Sequence, residues 1–334
     1  MAVTTLVAER ADAVGTDAAG TDVAGTDADA LWQFETLTAC PVCGGEEFIT
    51  VLSRQMRAVP LSFVRCGSCD LVIQNPRLTR EALSAYFSST NFVQDSESSD
   101  YTLNEPLGYH DYDDWDASYK STATLRLRRI LRYKAPPGRL LEIGTATGSF
   151  LAVARQHGFT VRGLDLSKRF ADIARDRYGL DIESDFIEEA PLPKAHYDVV
   201  CAFGGIACWR DPLLGLRNIQ RSLAPGGVFV LNFPDGDGLL GRMFGERYPE
   251  FNHASLTVFS KRTMRQVLAA AGLRLVFAES ERQFASVGRV VTYLKSPTGR
   301  WLADRLRITG VTIPVIAFGT IFAVCVPEST NVVA

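Results

Sequence analysis

A chain of 334 residues with 46% apolar side chains can bury one large core and a smaller one. A net charge of -3 leaves no excess of positive charge to neutralise phosphates, which argues against a nucleic-acid partner and for a small-molecule one. No basic stretch followed by an apolar one opens the sequence, so the expected setting is cytoplasmic, with the seven cysteines reduced.

In chain order, residues 1–31 carry a pentad repeat, "GTDAAGTDVAGTDAD" from Gly15 to Asp29, too small and polar to bury anything. A disordered tail is expected. Residues 32–77 form a compact unit bearing "CPVCGG" and "RCGSCD", two C-x2-C pairs separated by 22 residues. Each pair sits on a tight, glycine-containing turn, so Cys40, Cys43, Cys66 and Cys69 are expected to converge on one tetrahedral zinc ion. Four thiolates would close its coordination sphere, leaving no position for water or substrate and giving the metal a structural role. Cys201, Cys208 and Cys325 lie in or beside apolar strands, and two of them are expected in the core.

Residues 78–134 are read as a helical or lid segment. A short helix should begin near Thr79, which suits a cap. Eight acidic residues fall between Asp95 and Asp116, with Tyr101, Tyr109, Tyr112 and Trp115 among them, a stretch read as a solvated loop with anchoring rings. The basic run Arg126–Lys134 puts Leu127, Ile130 and Leu131 on one helical face, and a helix with solvated arginines is favoured over an anion site.

From residue 135 to the end, apolar runs alternate with amphipathic ones. Strands are expected at 139–143, 159–165, 180–184, 197–203 and 227–232, and helices at 148–157, 168–178 and 212–223. That alternation specifies an α/β fold with a doubly wound parallel sheet. A helix at 261–271 and strands at 273–278 and 317–326 complete it. Residues 308–326 carry no charge and are long enough to cross a bilayer, yet Gly310, Pro314 and Gly319 interrupt them and Val, Ile and Phe dominate their second half. A buried strand is the better reading, with no membrane contact.

"LLEIGTATGSFL", Leu140–Leu151, ends a strand in Glu142 and turns through Gly144 and Gly148 into a helix. Ala146 stands between the glycines, so the G-x-G-x-x-G pattern of a pyrophosphate-binding turn is absent. In order, "LLEIGTATGSFL", "VRGLDLS", "ESDFIEEAPLP", "YDVVCAF", "DP" and "LAPGG" resemble class I S-adenosylmethionine-dependent methyltransferases with an N-terminal zinc knuckle. The resemblance runs from Cys40 to about Phe277 and includes "NPR" at 75–77 and "FSKRTMRQVLAAAGL" at 259–273. It implies a seven-stranded Rossmann-like sheet behind a small zinc ribbon.

By that resemblance, Glu142, Gly144, Ala146 and Gly148 would line the methionine part of S-adenosylmethionine. Asp165, followed by Leu166, would accept both ribose hydroxyls; its other reading is a cap for the helix starting near Ser167. Asp185 would take the adenine amino group with Phe186 beside the ring, or be a solvated turn residue. Phe203 would lie near the cofactor's amino end. Ala146 replaces a glycine common in the family, which suits it only if its backbone stays right-handed or extended.

Methyl transfer to a small metabolite follows, with oxygen favoured as the accepting atom. The family usually carries a histidine after its fourth strand and another before the "FS" of the late helix. Here Ala207 and Cys208 replace Glu and His at the first place, and Ser255 replaces His at the second. Of the four histidines, His157 and His196 read as structural, while His253 and His110 are the candidate bases, each otherwise an exposed loop residue. Three alternatives stand beside this reading: an RNA methyltransferase, a silent cofactor-binding protein, and a protein whose bound sulfonium steers another reaction.

Overall fold

The computed structural model describes residues 5–7, 32–56, 59–88, 112–293 and 297–329. Within the segment read as a tail, Thr5–Val7 (β1) pairs antiparallel with Gln33–Glu35 (β2). Residues 8–31 lie outside the described residues, as does the stretch 89–111, which holds most of the acidic loop together with His110.

The N-terminal unit is an antiparallel sheet built from Phe48–Met56 (β3), Val59–Cys66 (β4) and Val72–Gln74 (β5). Its fourth strand comes from far along the chain: Thr257–Val258 (β12) pairs with β5, and the Gln74 N–H donates to the Leu256 carbonyl at 2.9 Å. After β5, the "NPR" residues act as a strut. Asn75 exchanges hydrogen bonds with the backbone of Leu37 at 2.8 and 3.1 Å. Arg77, within Arg77–Leu78 (β6), is buried, pairs with Glu35 at 2.7 Å and donates to the Arg210 carbonyl at 2.5 Å. Arg210 in turn reaches Glu35 at 2.8 Å, so one half-buried carboxylate ties two guanidiniums from different units.

Helix α1, Arg80–Ser88, starts where expected, the Thr79 hydroxyl accepting from the Ala82 N–H at 3.3 Å. Tyr112–Ile130 (α2) then packs Leu127 and Ile130 into the core beneath the main sheet. Of the run's arginines, Arg128 and Arg132 are exposed as expected, but Arg126 and Arg129 are not solvated. Arg129 is buried and pairs with Glu279 at 2.9 Å, and Arg126 pairs with Glu281 at 3.2 Å. Both partners belong to a strand that sequence periodicity ends too early, so the face looks unpartnered when α2 is read alone.

The main sheet has seven strands: Gly138–Ile143 (β7), Phe159–Leu164 (β8), Ile182–Glu183 (β9), Tyr197–Phe203 (β10), Leu223–Pro234 (β11), Leu273–Ser286 (β13) and Thr312–Pro327 (β14). Their spatial order is β13-β14-β11-β10-β7-β8-β9, with β9 to β11 parallel and the last two antiparallel. Helices Ser149–Gln156 (α3), Lys168–Tyr178 (α4), Pro212–Ser222 (α5) and Lys261–Ala270 (α7, after the short α6, Leu239–Phe244) cover the faces. Three of them start on side-chain caps: Ser167 accepts from Phe170 N, Asp211 from Leu214 N, and Ser260 forms a reciprocal capping box with Thr263.

The uncharged 308–326 stretch contributes β14, inserted between β11 and β13, with Ile321–Val326 buried. No helix among the described residues is long and apolar enough to cross a membrane. Both β13 and β14 exceed the expected 273–278 and 317–326. Beyond Ser280 they continue as a hairpin overhanging the sheet, where only one face has packing to satisfy and charged residues are tolerated. Val287–Tyr293 (α8) and Pro297–Arg305 (α9) fill the connection.

Candidate active site

Strand order reverses between β7 and β10, and in such sheets the crevice beyond the strands' carboxyl ends at that point receives the ligand. The loop 144–148 leaves β7 there. Gly148, at φ 80°, has no room for a side chain: an added Cβ would lie 2.6 Å from Leu180 Cδ1 and 2.9 Å from Ala174 Cβ. Gly144, at φ 75°, donates from its N–H to the Leu164 carbonyl at 2.8 Å, lashing the loop to the end of β8.

Ala146 does not meet the condition of ordinary backbone, because its φ is 44°. The cause is visible in its amide, which donates to Asp165 Oδ2 at 2.8 Å and holds the residue in the left-handed region. Replacing Ala146 with Gly removes the crowding of Cβ there while keeping that bond. Net of the extra freedom of the unfolded chain, about 0.5–1 kcal/mol of added stability is expected, read from the urea unfolding midpoint.

Asp165 is buried at the end of β8 and also accepts the Ser167 N–H on Oδ1 at 2.8 Å. Ser167, not Asp165, caps α4. The hydroxyl and N–H of Thr145 also face this carboxylate, so its acceptor positions are only partly open. Burial pushes its pKa up to about 6, held back by those N–H bonds.

Glu142 is buried at the end of β7, and its Oε2 has no hydrogen-bond partner among the described residues. Burial raises its pKa well above the usual range, against the pull of nearby Arg126. Arg126 spreads its guanidinium 4.3 Å above the Phe203 ring, and Phe203 meets Phe150 edge-on at 5.0 Å. From Arg126 a buried polar chain runs through Glu281 to Asn232, which donates to Glu281 Oε2 at 3.2 Å and accepts the Gly204 N–H at 2.6 Å. Arg126, Glu281 and Asn232 were invisible to motif reading, since they come from three elements distant in sequence.

Leu166 and Phe186 flank an apolar cluster with Phe34, Leu78 and Leu83. Phe186 is buried, with the Arg80 guanidinium 4.1 Å from its ring centre. Asp185 accepts from the Phe186 N–H at 2.7 Å and lies 3.9 Å from Arg80. Thus Asp185 stands next to a cation and not in a free turn.

The reading of His253 as a candidate base or exposed loop residue needs correction on exposure. It is buried, with its ring 5.1 Å from that of Trp32, because the loop 248–256 folds down onto the N-terminal unit. The Leu256 N–H of that loop donates to the Ala207 carbonyl at 2.8 Å, seating it on the short turn Ile206–Cys208. Ser255 is buried and its Oγ lies 3.5 Å from Glu250 Oε2. Cys201 and Cys325 are in the core, and Cys208 is half-buried.

In the N-terminal unit, the Sγ atoms of Cys40, Cys43, Cys66 and Cys69 all lie within 4.8 Å of one another. Cys40 and Cys69 are 3.7 Å apart and Cys43 and Cys66 3.5 Å, close to the edge of about 3.8 Å that a tetrahedron of ~2.3 Å Zn–S bonds requires. The cluster has the geometry to hold a metal ion.

The Methyltransferase domain family matches residues 116–277. Residues 116–277 thus match a methyltransferase domain. The domain is similar to the 27-O-demethylrifamycin SV methyltransferase of Amycolatopsis mediterranei, at 29% identity over 191 residues covering 53% of this chain and 70% of that one. It is also similar to the demethylmenaquinone methyltransferase of Chlorobaculum parvum, at 30% identity over 121 residues covering 36% and 50%. The chain spans about half the length of the demethylmenaquinone methyltransferases it matches. In fold, the chain aligns with the [4+2]-cyclase SpnF at a TM-score of 0.50 and 18% identity, covering 75% of this chain and 97% of that one.

The domain's residues fit the cofactor of that family, S-adenosylmethionine. Glu142 brings a buried carboxylate oxygen in want of a donor, as an ammonium group would supply. Asp165 brings a buried, backbone-anchored carboxylate that suits a vicinal diol, and Ala146 stands where the second glycine of a pyrophosphate turn lets the backbone approach the phosphates.

Proposed function

We propose that this chain transfers a methyl group from S-adenosylmethionine to a hydroxyl oxygen of a small metabolite, with a structural zinc ion on Cys40, Cys43, Cys66 and Cys69. The observation that carries the reading is Asp165: a buried carboxylate at the end of β8, beside the reversal of strand order, held in place by the N–H groups of Ala146 and Ser167. When bound, the cofactor supplies a methyl group already activated by its sulfonium. The chain's residues then have to bind, align and exclude water. Asp165 would grip the ribose, Glu142 the ammonium, and Arg126 the carboxylate of the methionine tail. Asp185 and Phe186 would meet the adenine. Phe203 would wall the pocket from water.

The names of the relatives support a small-molecule acceptor, as do the net negative charge and the absence of a basic excess. The test is incubation of the zinc-loaded protein with deuteromethyl-labelled S-adenosylmethionine and a metabolite extract of the source cells. A product heavier by one labelled methyl group is expected. Tight binding of the cofactor with no transfer of label, while another metabolite is consumed, would instead favour a reaction merely steered by the sulfonium.

A further inference from the structure

The loop seated on the turn after β10 contains one acid the preceding roles leave unused. Glu250 sits in the loop 248–256, which is fastened at both ends. Arg54 from β3 donates to the carbonyls of Glu246 and Phe251 at 3.2 and 3.0 Å, and Leu256 bonds the turn after β10. Glu250 itself is half-buried as a residue, and its carboxylate is withdrawn from water. No cation pairs with it among the described residues; its one hydrogen-bond partner there is the Ser255 hydroxyl.

The Arg54 guanidinium is engaged by the carbonyls of Glu246 and Phe251. Tyr248 and Cys208 both feel the charge of Glu250, Tyr248 also that of Asp235 and Cys208 also that of Asp165. His253, in the same loop, packs on Trp32. The Ile206–Cys208 turn on which the loop sits lies beside the loop 144–148: a Cβ on Gly144 would stand 3.7 Å from Gly205 Cα, and the Leu256 N–H donates to the Ala207 carbonyl at 2.8 Å. Burial followed by the charges of Glu250 and Asp165 pushes the Cys208 thiol up to about 12, so it stays protonated and is no proton acceptor near neutrality. Ser255 has no basic lone pair of its own. Among Cys208, Ser255 and Glu250, only Glu250 takes up and releases a proton in the working range.

We propose that Glu250 is the general base of the transfer, with Ser255 as its positioning residue. This rests on the methyl-transfer reading above. The acceptor oxygen forms a bond to the methyl carbon as the carbon–sulfur bond breaks. Its electron pair stays on sulfur, giving a neutral thioether, and the hydroxyl proton passes to the Glu250 carboxylate, which later returns it to water. Loss of hydration pushes the Glu250 pKa up to about 7, partly offset by the Ser255 hydrogen bond, and a base with its pKa near the working pH is the efficient one.

The test compares wild type, Glu250→Gln, Glu250→Asp and Ser255→Ala with deuteromethyl-labelled S-adenosylmethionine and the same metabolite extract. Binding of S-adenosylhomocysteine, followed by calorimetry, is the measure of an intact cofactor site. Expected is unchanged binding in all variants and transfer slowed about 100-fold or more in Glu250→Gln. Wild-type rate should rise with pH through about 7, and that rise should vanish in Glu250→Gln. Glu250→Asp should recover part of the rate and Ser255→Ala should shift the profile. Wild-type transfer with Glu250→Gln within about threefold of it and an unaltered pH profile overturns the proposal alone. Absence of label transfer by wild type, despite binding, overturns it together with the methyl-transfer reading.

Discussion

If Cys40, Cys43, Cys66 and Cys69 hold the proposed zinc ion, a chelator is expected to unfold residues 32–77 and to carry the rest of the chain far down in stability. Structural zinc on four thiolates is worth about 10–16 kcal/mol at neutral pH in isolated knuckles, more than most domains have to spare. The effect will not stay local. Cys40, Cys66, Val64, Leu71 and Ile73 belong to the same apolar cluster as Leu141, Val200 and Phe229 of the main sheet. Losing the ion therefore loosens packing beneath β7 and β10. Thermal unfolding followed by circular dichroism checks this: a large fall in midpoint with chelator, restored by added zinc, and reproduced by Cys66→Ser. An unchanged midpoint in the metal-depleted protein would show that the four sulfurs hold no ion that matters to folding.

Asp165→Asn is expected to weaken S-adenosylhomocysteine binding about 100-fold. A charged acceptor contributes about 1.5–3 kcal/mol per hydrogen bond, and the amide puts a donor where one ribose hydroxyl also donates. The substitution also turns an N–H toward the amide of either Ala146 or Ser167, each of which now donates to the carboxylate. A related outcome concerns pH. Because the folded pKa is raised to about 6, the carboxylate is charged above that value and neutral below it. Affinity should hold on the alkaline side and fall as pH drops through about 6 in wild type, and this dependence should disappear in Asp165→Asn. Isothermal titration calorimetry at several pH values measures both.

The elements that sequence periodicity displays best are those that pack against the sheet on one side. Strands β7, β8 and β10, and helices α3 to α5, announce themselves because every third or fourth residue, or a whole strand, must be apolar. The four cysteines were legible for a different reason, in that close spacing fixes chemistry without knowledge of the fold. What stayed hidden has one physical character: it depends on partners distant in sequence. Arg126 looks solvated until Glu281 is placed opposite it, and Glu281 sits in "ESERQ", a stretch without apolar rhythm. The two-residue β12 has no signal of its own, since it exists only because β5 offers an unpaired edge. The left-handed backbone at Ala146 follows from a hydrogen bond to Asp165, which spacing does not reveal.

That borrowed strand has a consequence for how the protein can be divided. A fragment ending at residue 88 would leave the outer rim of β5 open, with Ile73 and Val72 bare along it, an invitation to self-association. The cysteine-bearing portion is therefore not a detachable cassette that could be grafted elsewhere. Its completion waits until Thr257–Val258 has been synthesised, so the first and last thirds of the chain must mature together.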